Sequence, residues 1–309
     1  MPAIYNRAIH RFAVLTAIAT LVLLTAGALV TSNNAADSVP DWPLAYGKII
    51  PPLVGGIRFE YTHRVLAGLV SILTAILAVW LASSKSSRLA RRLGWTALGL
   101  VIAQAILGGI RVLEGHPAIS ATAHATLAQI YFITVVALAL IVGSWWQRDL
   151  PGLEDASSPR VRTLAFWTTA AIFVQLILGA GFRHGAWGIL PHLIGACVVA
   201  VMVIWTGRVA KKRFGGVREI RRGVALLHAT FGTQILLGFA AYWAVEKAMD
   251  AAQPTLSYVT LTVAHVLVGA LVLAASVLLT LTCVRLIGSD PATAALHSAA
   301  ADPAEGSRA

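Results

Sequence analysis

The sequence predicts an all-α integral membrane protein with eight transmembrane helices, built as two parallel four-helix-bundle repeats with both termini cytoplasmic. Two observations carry the class. Apolar runs of about 20 residues, the length that crosses a bilayer, recur eight times. Only 12% of the 309 residues are charged, where a soluble domain carries about a quarter. A third observation carries the arrangement: glutamine–glycine and histidine signatures recur in the two halves. The formal net charge of +11 does not point to nucleic acid, because the basic residues form short clusters between apolar runs, where they orient a chain in a membrane. Cys197 and Cys283 lie far apart within apolar runs and give no disulfide framework, CxxC redox pair or CxxCH heme-attachment signature.

The first run, 12–30, is long, uninterrupted and without a small-residue cleavage motif, so it reads as a helix rather than a signal peptide. No Arg- and Ser-rich transit segment precedes it, which favours a bacterial plasma membrane. Residues 31–59 form the longest connection, with Pro40-Asp41-Trp42-Pro43 and Pro51-Pro52 fixing bends. This loop reads either as a functional segment or as a connector whose Trp42 anchors at the interface. The second run, 61–82, opens on Glu60-Tyr61-Thr62-His63-Arg64. In a helix Glu60 shares a face with His63, and Arg64 lies one turn from Glu60. Such polar groups at the edge of hydrocarbon usually face a bundle interior.

Runs 93–112 and 118–146 complete a first unit, 1–150, and runs 164–182, 188–207, 223–243 and 258–286 make a second, 151–287. The tail 288–309, rich in Ala, Ser, Asp and Pro, reads as disordered. Eighteen of the 24 Lys and Arg residues fall on the side of the N-terminus, and six (Lys48, Arg58, Arg64, Arg111, Arg183, Lys247) on the other. That bias is the basis for cytoplasmic termini.

Three odd-numbered helices carry one pentapeptide: Gln104-Ala-Ile-Leu-Gly108, Gln175-Leu-Ile-Leu-Gly179 and Gln234-Ile-Leu-Leu-Gly238, with a degenerate version ending at Gly27 in the first. Every even-numbered helix carries a histidine in its outer half: His63, His124, His192 and His265. Four helices per unit preserve orientation, so the units are related by an axis near the membrane normal. For the Gly and Gln a packing role is expected, since small residues admit close helix approach and Gln bonds across interfaces.

Paired histidines on facing helices can ligate a flat macrocycle from both sides. Each half then holds one heme-sized site, His63 with His124 and His192 with His265. Zinc fits less well, because each half lacks the third ligand of a catalytic site. Non-heme iron on His63, His124 and Glu60 is an alternative for the first half. His10, His116, His184 and His297 lie at ends or in loops, and His228, off the pattern, reads as a satisfied interior histidine. The halves differ around their ligands: Glu60 and Arg64 flank His63, whereas His192 and His265 have apolar neighbours. An apolar bis-histidine site suits a held, electron-transferring heme, and a carboxylate one turn from the ligand can also move protons. Glu60 and Arg64 also admit a plainer reading, an interfacial ion pair of small energetic weight.

These residues resemble the heme A synthase family, eight-helix membrane enzymes of cytochrome oxidase assembly. The resemblance rests on Pro40-Asp41-Trp42-Pro43, Glu60-Tyr61-Thr62-His63-Arg64, Gly108-Gly109-Ile110-Arg111-Val112, Ala123-His124 with Leu127-Ala128, and on His192 and His265. It implies an enzyme that oxidises the C8 methyl of heme O, through an alcohol, to the formyl group of heme A. It further implies His63 and His124 as axial ligands of the substrate heme, His192 and His265 as ligands of a heme b, and Glu60, with Arg64, as the catalytic group. Expected partners are the bilayer, heme O, a heme O synthase and an electron donor, with an oligomer open. Many members carry a cysteine pair in the first outer loop; here that loop has none, and Val39 precedes Pro40. That removes a disulfide-based electron relay without excluding the reaction, and leaves the route of electrons into the site open. The competing classes are a di-heme b-type electron carrier, for which Glu60 is superfluous, and a transporter, for which the sequence lacks a matched pair of broken helices.

Overall fold

The computed structural model describes residues 5–288 except 116, 149, 151 and 156. Apart from Gly288, the predicted tail, with His297, lies outside the described residues, as does His116. Among those described, eight helices are long and apolar enough to cross a membrane: α1 (Arg7–Ser32), α2 (Ile57–Ser83), α3 (Arg88–Leu113), α4 (Ala118–Ile141), α5 (Val161–Arg183), α6 (Leu190–Phe214), α7 (Arg218–Ala248) and α8 (Leu256–Leu286). The architecture is an all-α bundle of a multi-pass membrane protein.

Local chemistry sets the helix ends. The Asn6 side chain accepts from the Ala8 and Ile9 amides at the start of α1, Ser87 from Ala90 at α3, and Thr255 from Tyr258 at α8, each satisfying amides that a helix leaves unpaired. Pro191 sits in the first turn of α6, where its missing N–H costs nothing. α4 stops at Ile141, short of the expected 146. Beyond it Arg285 of α8 donates to the main-chain oxygens of Trp146 (3.0 Å) and Arg148 (2.5 Å). α7 runs on to Ala248, past the expected end at 243.

α1 packs on α2, α2 on α3, α3 on α4 and α4 back on α1; α5 to α8 close in the same cyclic order. The rings meet through α1–α8, α4–α8 and α4–α5. α8 is therefore the central helix, and Ala270 and Ala274 enter a buried cluster with Val70, Val101 and Phe132 of the other ring. Small residues at that seam let helices approach closely where no hydrophobic effect drives association. Hydroxyl pairs fasten the interfaces: Thr74 with Tyr131 (2.5 Å), Thr168 with Thr206 (2.6 Å) and Thr169 with Ser276 (2.7 Å).

Arg183, at the end of α5, crosses between the rings. Its Nη2 donates to the Ala28 carbonyl (3.1 Å) and to Ser32 Oγ (2.7 Å) on α1, and Ser32 shares a hydrogen bond with Thr262 of α8 (2.8 Å).

Candidate functional site

The recurring glycine and histidine of the sequence meet in space. Each odd helix lays its glycine under the imidazole of the next helix. A Cβ added at Gly27 would stand 3.1 Å from Cε1 of His63, at Gly108 3.1 Å from His124, at Gly179 2.8 Å from His192, and at Gly238 3.2 Å from His265. At Gly27, Gly108 and Gly179 the Cε1–Nδ1 edge faces the glycine and Nε2 is the farthest of the three atoms. At Gly238 the same edge is again nearest. An added methyl would force a shift at Gly179, and at Gly27, Gly108 and Gly238 the ring would have to give by a few tenths of an ångström. The expected packing role of the glycines is thus specific: they seat the histidines.

The glutamines are the second half of the device. Gln104 Nε2 donates to the His124 carbonyl (3.0 Å) and Gln175 Nε2 to the His192 carbonyl (2.9 Å) and to His192 Nδ1 (3.0 Å). Gln234 Nε2 contacts His265 at its other nitrogen, Nε2, 3.2 Å away. In α1 the matching position is Leu23, and His63 faces its main chain instead.

The His192 and His265 rings stand 6.3 Å apart, centroid to centroid, with planes at 82°. Two metal–nitrogen bonds of about 2 Å each, plus the two ring half-widths, bring coaxial imidazoles to about that spacing. Among the described residues, Nδ1 of His63, His124 and His265 is buried without a hydrogen-bond partner, on the ring edge that faces the glycine. Seated rings and the 6.3 Å gap fit a bis-histidine heme held through Nε2, the ring nitrogen farther from each glycine. An iron on His265 Nε2 requires exchange of the Gln234 contact.

Around His63 the setting is polar. Glu60 is 5% exposed. Its Oε1 takes the Arg64 guanidinium at 2.6 Å and its Oε2 the Val39 amide at 2.9 Å. Arg64 also donates to the carbonyls of Asp41 (2.7 Å), Leu44 (2.8 Å) and Val39 (3.3 Å). Together they pin the Pro-Asp-Trp-Pro loop across the mouth of the first ring. Within the loop the Asp41 carboxylate accepts from the Tyr46 amide (2.6 Å) and the Gly47 amide (2.8 Å). The Gly47 amide foremost, with the Tyr46 amide and the Arg64 charge, holds this carboxyl below the usual range against an opposing desolvation effect. Tyr46 and Gly47 have φ of 55° and 67°, the left-handed turn that aims both amides at one anion.

Trp42 lies on α3: a Cβ at Gly109 would stand 2.7 Å from its Cδ2. The loop is therefore docked, and Trp42 is packed against a helix and 41% exposed rather than a free interfacial anchor. The Glu60–Arg64 ion pair foreseen in the sequence exists, and it organises a loop as well.

With both Glu60 oxygens engaged, the non-heme iron set is not assembled. Among the described residues no group of three His, Cys, Asp or Glu side chains converges to hold a bare ion. His228 departs from its expected interior place. It is exposed on α7, packs on Gly207 of α6 and places Nδ1 2.8 Å from its own helix's Val224 carbonyl.

Arg111 was visible in the sequence only as part of a motif. It interacts electrostatically with His63, His124, Glu60 and Asp37. Its spacing from Gly108, close to that of Arg183 from Gly179, was the available signal.

Residues 57–190 match the family of cytochrome oxidase assembly proteins, a window that holds Glu60, His63, Arg64, Gln104, Gly108, Arg111 and His124. The match is to the heme A synthase family. The heme A synthase of Alkalihalophilus pseudofirmus is 31% identical over 181 residues, covering 56% of this chain and 59% of that protein. That of Lysinibacillus sphaericus is 33% identical over 187 residues, 58% of this chain and 59% of its own length. That of Halalkalibacterium halodurans is 33% identical over 141 residues, 44% and 45% respectively. The matched region thus spans between 45% and 59% of these relatives. His192 and His265 lie beyond the family window, so their part rests on geometry.

Proposed function

We propose that this chain is a heme A synthase, a membrane oxidoreductase that converts the C8 methyl of heme O, through the alcohol, to the formyl group of heme A for cytochrome oxidase assembly. The observation that carries this reading is a buried carboxylate, Glu60, three residues from a glycine-seated histidine inside the family-matched segment.

In this reading the chain is two parallel four-helix repeats, 1–150 and 151–287, in a bacterial plasma membrane with cytoplasmic termini and the histidines toward the outer side. The identical cyclic packing of the two rings and the recurring glycine–histidine seats support the repeat, and the Lys and Arg bias supports the orientation. His63 and His124 hold the substrate heme O, and His192 and His265 a heme b. Heme b supplies one-electron transfer when bound.

The chain's own residues do the rest. Gly27 and Gly108 seat the substrate's ligands, and the docked loop with Trp42 keeps bulk water from the mouth. Glu60 has spare acceptor capacity on both oxygens beyond Arg64 and Val39, and takes a proton from, or orients, the oxygen added at the methyl carbon. Arg64 is a positioning residue, holding Glu60 and loop together. Heme O synthase as source of the substrate, and an oxidant that supplies the added oxygen together with an electron donor, are the partners in this reading.

Expression in cells that make heme O but no heme A, followed by mass analysis of extracted hemes, tests the proposal. Appearance of the hydroxylated and formyl hemes supports it; heme O and heme b alone would refute it. A di-heme electron carrier shares the four histidines, and its spectrum and electron transfer would survive replacement of Glu60.

A further inference from the structure

We infer that Arg111 is the anion clamp of the first ring, binding a propionate carboxylate of the macrocycle between His63 and His124. This rests on the heme reading of that histidine pair. A heme carries two propionates on one edge, so a site that fixes its rotation needs a cation beside the ligands and off the iron axis. Arg111 meets that need. It lies in the last turn of α3, three residues beyond Gly108, hence on the same face as the seat of His124. It is within electrostatic reach of both ring ligands, and its Nε is buried with no hydrogen-bond partner among the described residues. A buried guanidinium nitrogen left unpaired is expensive, and a carboxylate is the group whose geometry pairs a guanidinium through two parallel bonds.

The neighbours leave that role open. Glu60 is near Arg111, but the hydrogen bonds of its carboxylate run to Arg64 and Val39 and none reaches Arg111. Asp37 is also near and offsets part of the charge. Burial first, then Arg183 and Arg111, lower His184 to about 4, so at neutral pH it is uncharged and adds no second positive charge beside the guanidinium. The second ring supplies the contrast. Arg183, four residues beyond Gly179, gives its Nη2 to Ala28 and Ser32 and serves as a tie between rings. The two arginines follow corresponding glycines. One is held by the protein, and the other keeps a buried donor unused.

The test uses full-length protein in detergent with the second pair silenced (His192→Ala with His265→Ala), and two probes: ferric protoporphyrin IX and its dimethyl ester, which lacks the carboxylates. Binding is read from the bis-histidine absorption bands. With Arg111 in place the free acid binds about tenfold or more tightly than the ester, the span of a charge-assisted hydrogen bond. Arg111→Gln abolishes that preference while ester binding stays within about twofold. Arg111→Lys, which keeps the charge and guards against misfolding, retains part of it. Equal acid and ester affinities with Arg111 present, or a preference that persists in Arg111→Gln, overturn the clamp while leaving the heme reading in force. Absence of any bis-histidine spectrum in the silenced protein removes both.

Discussion

At Gly179 an added methyl would stand 2.8 Å from Cε1 and 3.0 Å from Nδ1 of His192, closer than the ring tolerates without moving. Gly179→Ala is therefore expected to lower heme affinity of the second pair by roughly ten- to a hundredfold, from an overpacking cost of about 1–3 kcal/mol. Redox-difference spectra should show loss of one bis-histidine component with the other kept, and Gly108→Ala should remove the complementary one. Undiminished spectra in both variants would show that the seats do not set ligand geometry. The histidines, Glu60 and the glycine pattern were legible in the sequence because each repeats or breaks a repeat. The seating of ring on glycine was not, since a pentapeptide states spacing along one helix and says nothing of which neighbouring helix its face meets. Arg111 was hidden for a related reason: its spacing resembles that of Arg183, and only the hydrogen bonds of Arg183 distinguish them.

The element that gives the first ring its own character is the loop between α1 and α2, held at Asp41, Arg64 and Trp42. Asp41 accepts two amides, and its carboxyl is depressed in the folded loop. A depressed carboxyl stabilises the fold above its unfolded pKa and loses that contribution as pH falls through the lower, folded value. Loop order is thus expected to be flat with pH above about 5 and to fall only below about 4, the ordinary aspartate range. Asp41→Asn tests the same contact at neutral pH: hydrogen exchange of the Tyr46 and Gly47 amides should quicken severalfold, while amides within α2 keep their protection. Prolines and loop length announced an ordered connection. Its docking by Arg64 was not foreseeable, because main-chain carbonyls that accept a guanidinium carry no residue signature. The contact of Arg285 with the carbonyls of Trp146 and Arg148 beyond α4 was hidden for the same reason.

For the molecule as a whole, two rings closed in the same order meet along α8, and Arg183 ties α5 to α1 across the seam. Arg183→Ala removes two hydrogen bonds of a charged donor, a loss of about 2–3 kcal/mol or more. It should lower the melting temperature in detergent by several degrees, and an unchanged melt would assign the seam to apolar packing alone. Eight helices were legible from hydropathy, since crossing a bilayer demands length and apolarity of each. Which helices adjoin was less so, because lipid-facing and protein-facing residues are alike apolar: Leu236 and Phe239 of α7 are 71% and 75% exposed, whereas Leu273 and Leu279 of α8 are fully buried. The central claim is that the rings share heme binding and that Glu60 makes one of them an enzyme. Glu60→Gln, purified from heme O-producing cells and compared with the unaltered protein, tests it most directly. The account predicts both bis-histidine spectra, heme O retained, and formyl heme reduced at least a hundredfold. Formyl heme at the unaltered level, with the spectra unchanged, would contradict it.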